Sequence, residues 1–210
     1  MKRLSERQCV EPPSKHHYHC PLDLLQPTRS GCVGYAIVHA LASQPNNQYV
    51  DQRDAVSINA KAEELEDFYG LVRSGTSITS GMTAARDLGL ISAFEKARTF
   101  KEFKEAMKLG PVVVGLNMFQ GMDHPLPWAP EWIGITDKKK RLKNEAGEDA
   151  GHAMCALGWK GGWNGRLTYL QNSGGAAYGR GGVVKMGDGD MKWLFKKAHI
   201  KAYRPIVACG

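Results

Sequence analysis

The chain has 210 residues, 42% of them apolar and 23% charged, with a formal net charge of +7. That length and balance suit one compact unit with a sizeable core; no stretch nears the roughly 18 apolar residues of a membrane span, and Met1-Lys-Arg-Leu-Ser-Glu-Arg lacks the apolar segment of a secretory signal. The positive charges are scattered and accompany no nucleic-acid motif, so specific nucleic-acid binding is not expected and the excess implies only salt-dependent adhesion to acidic surfaces.

Residues 1–20 form a polar arm. Cys9, His16, His17, His19 and Cys20 are metal-binding types, but no tight Cys-x-x-Cys pair accompanies a second pair, so neither a metal nor any other cofactor is expected. A bridge between Cys9 and Cys20 stays open. Residues 31–42 are almost wholly apolar until Ser43-Gln-Pro45, which predicts a buried helix with Cys32 in its first turn. Ser57 can cap a second helix with Ile58, Ala62, Leu65, Phe68, Tyr69 and Val72 on its inner stripe and an acidic face in water. The small and hydroxyl residues of Ser74-Gly-Thr-Ser-Ile-Thr-Ser-Gly-Met82 lead into a third helix that Gly89 stops. Thr99-Phe-Lys-Glu102 fits a capping box for a fourth, with Phe100, Phe103 and Met107 on one stripe and Gly110-Pro111 as its end.

At Pro111 the period changes. Val112-Val-Val-Gly-Leu-Asn-Met118 is a β-branched run, and residues 153–159, 167–171, 182–186 and 199–207 are further strand-like stretches between glycine-rich turns. A helical first half and a β-rich second half predict an α+β fold in two parts. Residues 119–150 are the least regular. His124-Pro-Leu-Pro-Trp-Ala-Pro-Glu-Trp132 suggests an ordered loop beside a cleft, and Lys138-Lys-Lys-Arg141 with Lys143 reads as a solvated turn.

Three residues carry chemistry that none could perform alone. A thiol is a weak nucleophile at neutral pH unless an imidazole takes its proton and a third group fixes the ring's tautomer. Cys32, His152 in Gly151-His152-Ala-Met, and Asn172 in Gln171-Asn172-Ser-Gly-Gly are those types in that order. The first turn of a helix favours a thiolate through its unpaired amides and positive dipole end.

Together these segments resemble the papain-like cysteine peptidases. The resemblance implies a helical lobe and an antiparallel, β-barrel-like lobe with the active site in the cleft between them. It implies catalytic Cys32, His152 and Asn172, and an oxyanion hole made by Gln26, six positions before the nucleophile, with the backbone N–H of Cys32. The expected division is 1–20 as the arm, 21–110 as the helical lobe and 111–210 as the β lobe, and the expected substrate is a polypeptide. The Gly-Thr-Ser loop is similar to that of bacterial and phage members.

Two positions depart from the pattern. Val33 follows the nucleophile where a Trp is usual, and Gly174 stands after Asn172-Ser where most such enzymes have the indole that shields the Asn–His bond; Trp128, Trp132 or Trp163 could fold over it. Tyr178 before Gly179 does occupy a position that is aromatic in the family. A binding or virion structural component with little activity, or a peptidoglycan-directed peptidase or amidase, are the alternative readings. Five cysteines is an odd number, and Arg29 stands where secreted relatives often have a bridged Cys, so a reducing compartment is expected, cytoplasm or virion, with Cys155 packed in the core.

Overall fold

The computed structural model describes residues 18–27, 31–68, 75–125, 129–162, 165–198 and 200–208. In chain order these form α1 (Cys32–Ala42), α2 (Gln52–Phe68), α3 (Ile78–Asp87), β1 (Ala93–Ala97), α4 (Phe100–Leu109), β2 (Val112–Asn117), β3 (Phe119–Gln120), β4 (Asp137–Arg141), β5 (Gly151–Gly162), β6 (Gly165–Gln171), β7 (Val183–Gly187), α5 (Asp188–Lys197) and β8 (Lys201–Ile206). Six strands make one antiparallel sheet in the order β1-β8-β2-β5-β6-β7, and β3 pairs with β4 separately. The fold is α+β as expected; no pairing of β1 with β7 closes the sheet among the described residues.

The sheet has a core on each face, which explains why its central strands read as continuous apolar runs. Val113, Cys155, Leu157 and Tyr203 pack against α1, α2 and α3, while Val112, Val114, Met154, Ala156 and Ala202 pack with α4 and α5 on the other side. The alternation between neighbours such as Val113 and Val114 is the two-residue period of a strand. Helix α4 lies before Pro111 in the chain yet buries Phe103 and Met107 in the second core, and β1 adds an edge to the sheet by pairing with β8.

Local signals account for most helix boundaries. All eleven residues of α1 are buried. Thr99 accepts from the Glu102 N–H at 3.1 Å and caps α4, and Ser77 accepts from the Ser80 N–H at 3.1 Å and caps α3. The expectation for α2 needs correction. Ser57 lies inside the helix, which begins five residues earlier because Asp51 Oδ1 accepts from the Arg53 N–H at 2.6 Å and Asp54 Oδ2 from the Asp51 N–H at 2.8 Å. Tyr69 and Val72 lie outside the described residues.

The lysine run is also placed differently, on strand β4 rather than in a turn. Its side chains are exposed; Arg141 and Lys143 pair with Asp149, and Lys138 lies 3.7 Å from Asp190. No helix among the described residues is long and apolar enough to cross a membrane. Cys20, Cys32 and Cys155 are free thiols, and Cys155 is buried in the first core; Cys9, His16 and His17 lie outside the described residues. No group of three or more His, Cys, Asp and Glu able to hold a metal occurs among the described residues.

Candidate active site

Helix α1 starts without a capping side chain of its own, since its N-cap is Gly31. The cap comes from α2. Asn59, buried on the stripe with Ala55, Ile58 and Ala62, accepts from the Gly34 N–H at 2.9 Å and donates from Nδ2 to the Gly31 carbonyl at 2.7 Å. One side chain thus satisfies an orphan amide in the first turn and holds the residue before Cys32. Gly34 permits the approach: a Cβ there would lie 2.1 Å from the Ala55 carbonyl oxygen.

Cys32 is 9% exposed, and its sulfur is within hydrogen-bonding reach of the Ala153 backbone as well as of the Cys32 and Val33 backbone. Burial pushes the thiol above its ordinary pKa, and these backbone contacts oppose the rise. Ala153 follows His152 in β5, so the contact sets the sulfur beside the imidazole's own strand. The opposite strand, β2, pairs Leu116 with His152 and Gly115 with Ala153. Gly115 is needed for closeness, because a Cβ on it would come within 2.6 Å of Ile78 Cδ1 on α3.

His152 lies near the start of β5 and Asn172 just past the end of β6, two strands paired so that Cys155 faces Gln171. His152 Nε2 is 2.7 Å from Asn172 Oδ1. That oxygen also accepts from the Ser173 N–H at 2.8 Å, so it is the acceptor end of the amide and the ring nitrogen facing it carries the proton. The neutral imidazole is therefore the Nε2–H tautomer, with the lone pair on Nδ1. Burial holds the His152 pKa below its ordinary value, and the bond to Asn172 opposes the fall.

Gln26 enters from the segment ahead of α1. Its N–H donates to the Ser173 carbonyl at 2.9 Å, and the Ser173 hydroxyl donates to its Oε1 at 2.6 Å. The amide's Nε2 end is thereby turned away from Ser173. Gln26 Cγ is 3.7 Å from where a Cβ on Gly31 would stand, which sets the Gln26 side chain against the residue preceding Cys32. The structure thus collects all four sequence-predicted residues in one place, from α1, β5, the end of β6 and the leading segment.

Two residues in this arrangement were not anticipated. Asn59 had a signal, a carboxamide standing on an otherwise apolar helical stripe, where a buried polar group needs partners. Ser173 had none, because its contact with Gln26 spans the chain. Of the tryptophans considered for the gap at Gly174, Trp132 is bridged to Lys185 of β7, and Trp128 and Trp163 lie outside the described residues.

No protein-family model matches the sequence, and a search of curated proteins finds no relative. Solved structures do match. Xylellain, a cysteine protease from Xylella fastidiosa, is similar with a TM-score of 0.67 at 15% identity over 93% of this chain and 87% of its own. Bromelain from Ananas comosus, in complex with the inhibitor E64, gives 0.60 at 13% identity over 89% of this chain and 93% of its own. The proform of Amb a 11, a cysteine protease and ragweed pollen allergen, gives 0.60 at 13% identity; the match covers 90% of this chain but 62% of that one. The fold of the chain is that of the papain-like cysteine proteases.

Proposed function

We propose that the protein is a cysteine peptidase that hydrolyses peptide bonds through a thioester on Cys32. The observation that carries the reading is the 2.7 Å contact of His152 Nε2 with Asn172 Oδ1, on a strand whose next residue, Ala153, meets the Cys32 sulfur at the start of a buried helix. Burial alone favours the uncharged thiol and the uncharged ring. Transfer of the thiol proton to His152 Nδ1 is favoured instead by attraction between the resulting charges, by the helix N-terminus and by the bond to Asn172.

The thiolate attacks the peptide carbonyl carbon, forming a C–S bond while the carbonyl electron pair moves onto oxygen. The Cys32 N–H and Gln26 Nε2 donate to that oxyanion, Gln26 being oriented by Ser173. His152 passes its proton from Nδ1 to the departing amine as the C–N bond breaks. Water then attacks the thioester with Nδ1 as base, and the C–S bond breaks to return the thiol. Asn172 keeps Nε2–H in place throughout.

The test is selective modification of the intact protein. Iodoacetamide should label Cys32 faster than Cys20 or Cys155, the epoxide E64 should block it, and Cys32→Ala should abolish cleavage of a casein digest. Equal slow labelling of the thiols, with no cleavage by the parent protein, refutes the assignment.

A further inference from the structure

The space over Gly174 is filled by Tyr178. A Cβ built on Gly174 would lie 3.1 Å from Tyr178 Cβ, 3.3 Å from its Cγ and 3.5 Å from Asn172 Nδ2, so the tyrosine and the asparagine amide meet at the same spot. A large side chain at 174 would have to displace the phenol. The turn that delivers the ring is itself constrained. Tyr178 N–H donates to the Gly175 carbonyl at 3.1 Å, and Gly179 has φ +66° with the Val183 carbonyl oxygen only 2.4 Å from where its Cβ would be.

The Tyr178 hydroxyl reaches two groups. It donates to the Met122 carbonyl at 3.4 Å, a long bond, and the Asn172 side-chain amide lies near enough to oppose the rise of its pKa. Asn172 Oδ1 is taken by His152 and the Ser173 N–H, so Nδ2 is the end left to face Tyr178. Turning the amide over would set an N–H₂ against the His152 Nε2–H, donor to donor, and leave the phenol facing a carbonyl oxygen. Burial, with Asp123 adding to it, pushes the Tyr178 pKa up to about 12, which keeps the hydroxyl neutral at any working pH.

We propose that Tyr178 is a positioning residue: its hydroxyl pins the Asn172 amide with oxygen toward His152, and its ring covers the Asn172–His152 bond from the side where Gly174 leaves room. Its consequence for turnover rests on the peptidase reading; its hold on the Asn172–His152 pair does not. The test therefore has two arms, each on the full chain with Tyr178→Phe and Tyr178→Leu.

Nitrogen-15 NMR of the histidine rings reports the His152 tautomer and the solvent exchange of its Nε2 proton. The parent should hold the Nε2–H form with slow exchange; Tyr178→Phe should exchange roughly fivefold faster, as expected for losing one neutral hydrogen bond, and Tyr178→Leu faster still. In the kinetic arm, kcat/KM should fall in the same order, by about tenfold or more for Leu, with KM little changed. The alkaline limb of the pH profile, where His152 gives up its proton, should move to lower pH because the bond that raises its pKa is loosened. Parent-like exchange and pH limbs in both variants overturn the proposal. Full recovery by Phe but not Leu overturns the hydroxyl's part in it. Faster exchange in the variants of a protein that cleaves nothing upholds the positioning role and sinks only the peptidase assignment.

Discussion

His39 makes the stability of this protein depend on pH in a way that can be worked out in advance. It lies in the last turn of α1 with 0% exposure, and neither ring nitrogen has a hydrogen-bond partner among the described residues. Burial lowers its pKa from 6.5 to about 4. Between those values the unfolded chain binds a proton that the folded chain refuses, so stability is complete above pH 6.5, falls as the pH is lowered, and levels off below about pH 4. A gap of that size corresponds to about 3 kcal/mol in all, of which roughly 2–3 kcal/mol is lost by pH 4.5. His39→Leu removes the titration while keeping an apolar group of similar bulk in the helix.

Urea unfolding at pH 7.5 and 4.5, followed by circular dichroism, measures the difference for parent and variant. His152, whose pKa burial also lowers, adds loss of the same sign to both proteins and cancels in the comparison. The parent should lose roughly 2–3 kcal/mol more than the variant across that interval. Equal losses in the two proteins would refute the claim that burial in α1 keeps this imidazole uncharged.

Three further substitutions probe how the site is held. Asn59→Ala strands the Gly34 N–H and the Gly31 carbonyl, so urea unfolding should show a loss of roughly 2–3 kcal/mol, and alkylation of Cys32 should slow; an unchanged labelling rate would separate this clamp from the Cys32 thiol. In Gly34→Ala the new methyl meets the Ala55 carbonyl oxygen at 2.1 Å, so α1 and α2 must part and the midpoint of thermal unfolding should drop by an amount equivalent to roughly 3 kcal/mol. Ser173→Ala removes the hydroxyl that donates to Gln26 Oε1, and on the proposed mechanism steady-state kinetics should show kcat lowered several-fold with KM nearly constant, as for an interaction made mainly with the oxyanion.

The legible parts of the fold were those in which neighbouring residues decide the outcome. The Thr99 to Glu102 cap, the apolar run that became α1 and the β-branched run of β2 are local patterns, and the structure has each of them. Strand β1 went unread because Ala-Phe-Glu-Lys-Ala has only its last residue fully buried; it is a strand through pairing with β8, more than a hundred residues away. Helix α5 was missed where Asp188-Gly-Asp190 looks like a turn, although acidic residues in a first turn are favoured there by the helix dipole. The cap of α2 was misplaced because Ser57 and Asp51 are both capping types, and the apolar stripe extends back to Ala55.

For the site, the sequence by itself supplied the candidate groups: a thiol in the first turn of an apolar helix, an imidazole near the start of a strand, and a carboxamide just past the end of another. Residue type and local context suffice for that, since they set what a side chain can donate, accept or attack with. Only the tertiary structure decided that Asn59 supplies the cap α1 lacks, that Ser173 turns Gln26, and that Tyr178 stands over Gly174. Those contacts join chain segments far apart in sequence, and hydrogen bonds hold only where packing brings donor and acceptor to about 3 Å.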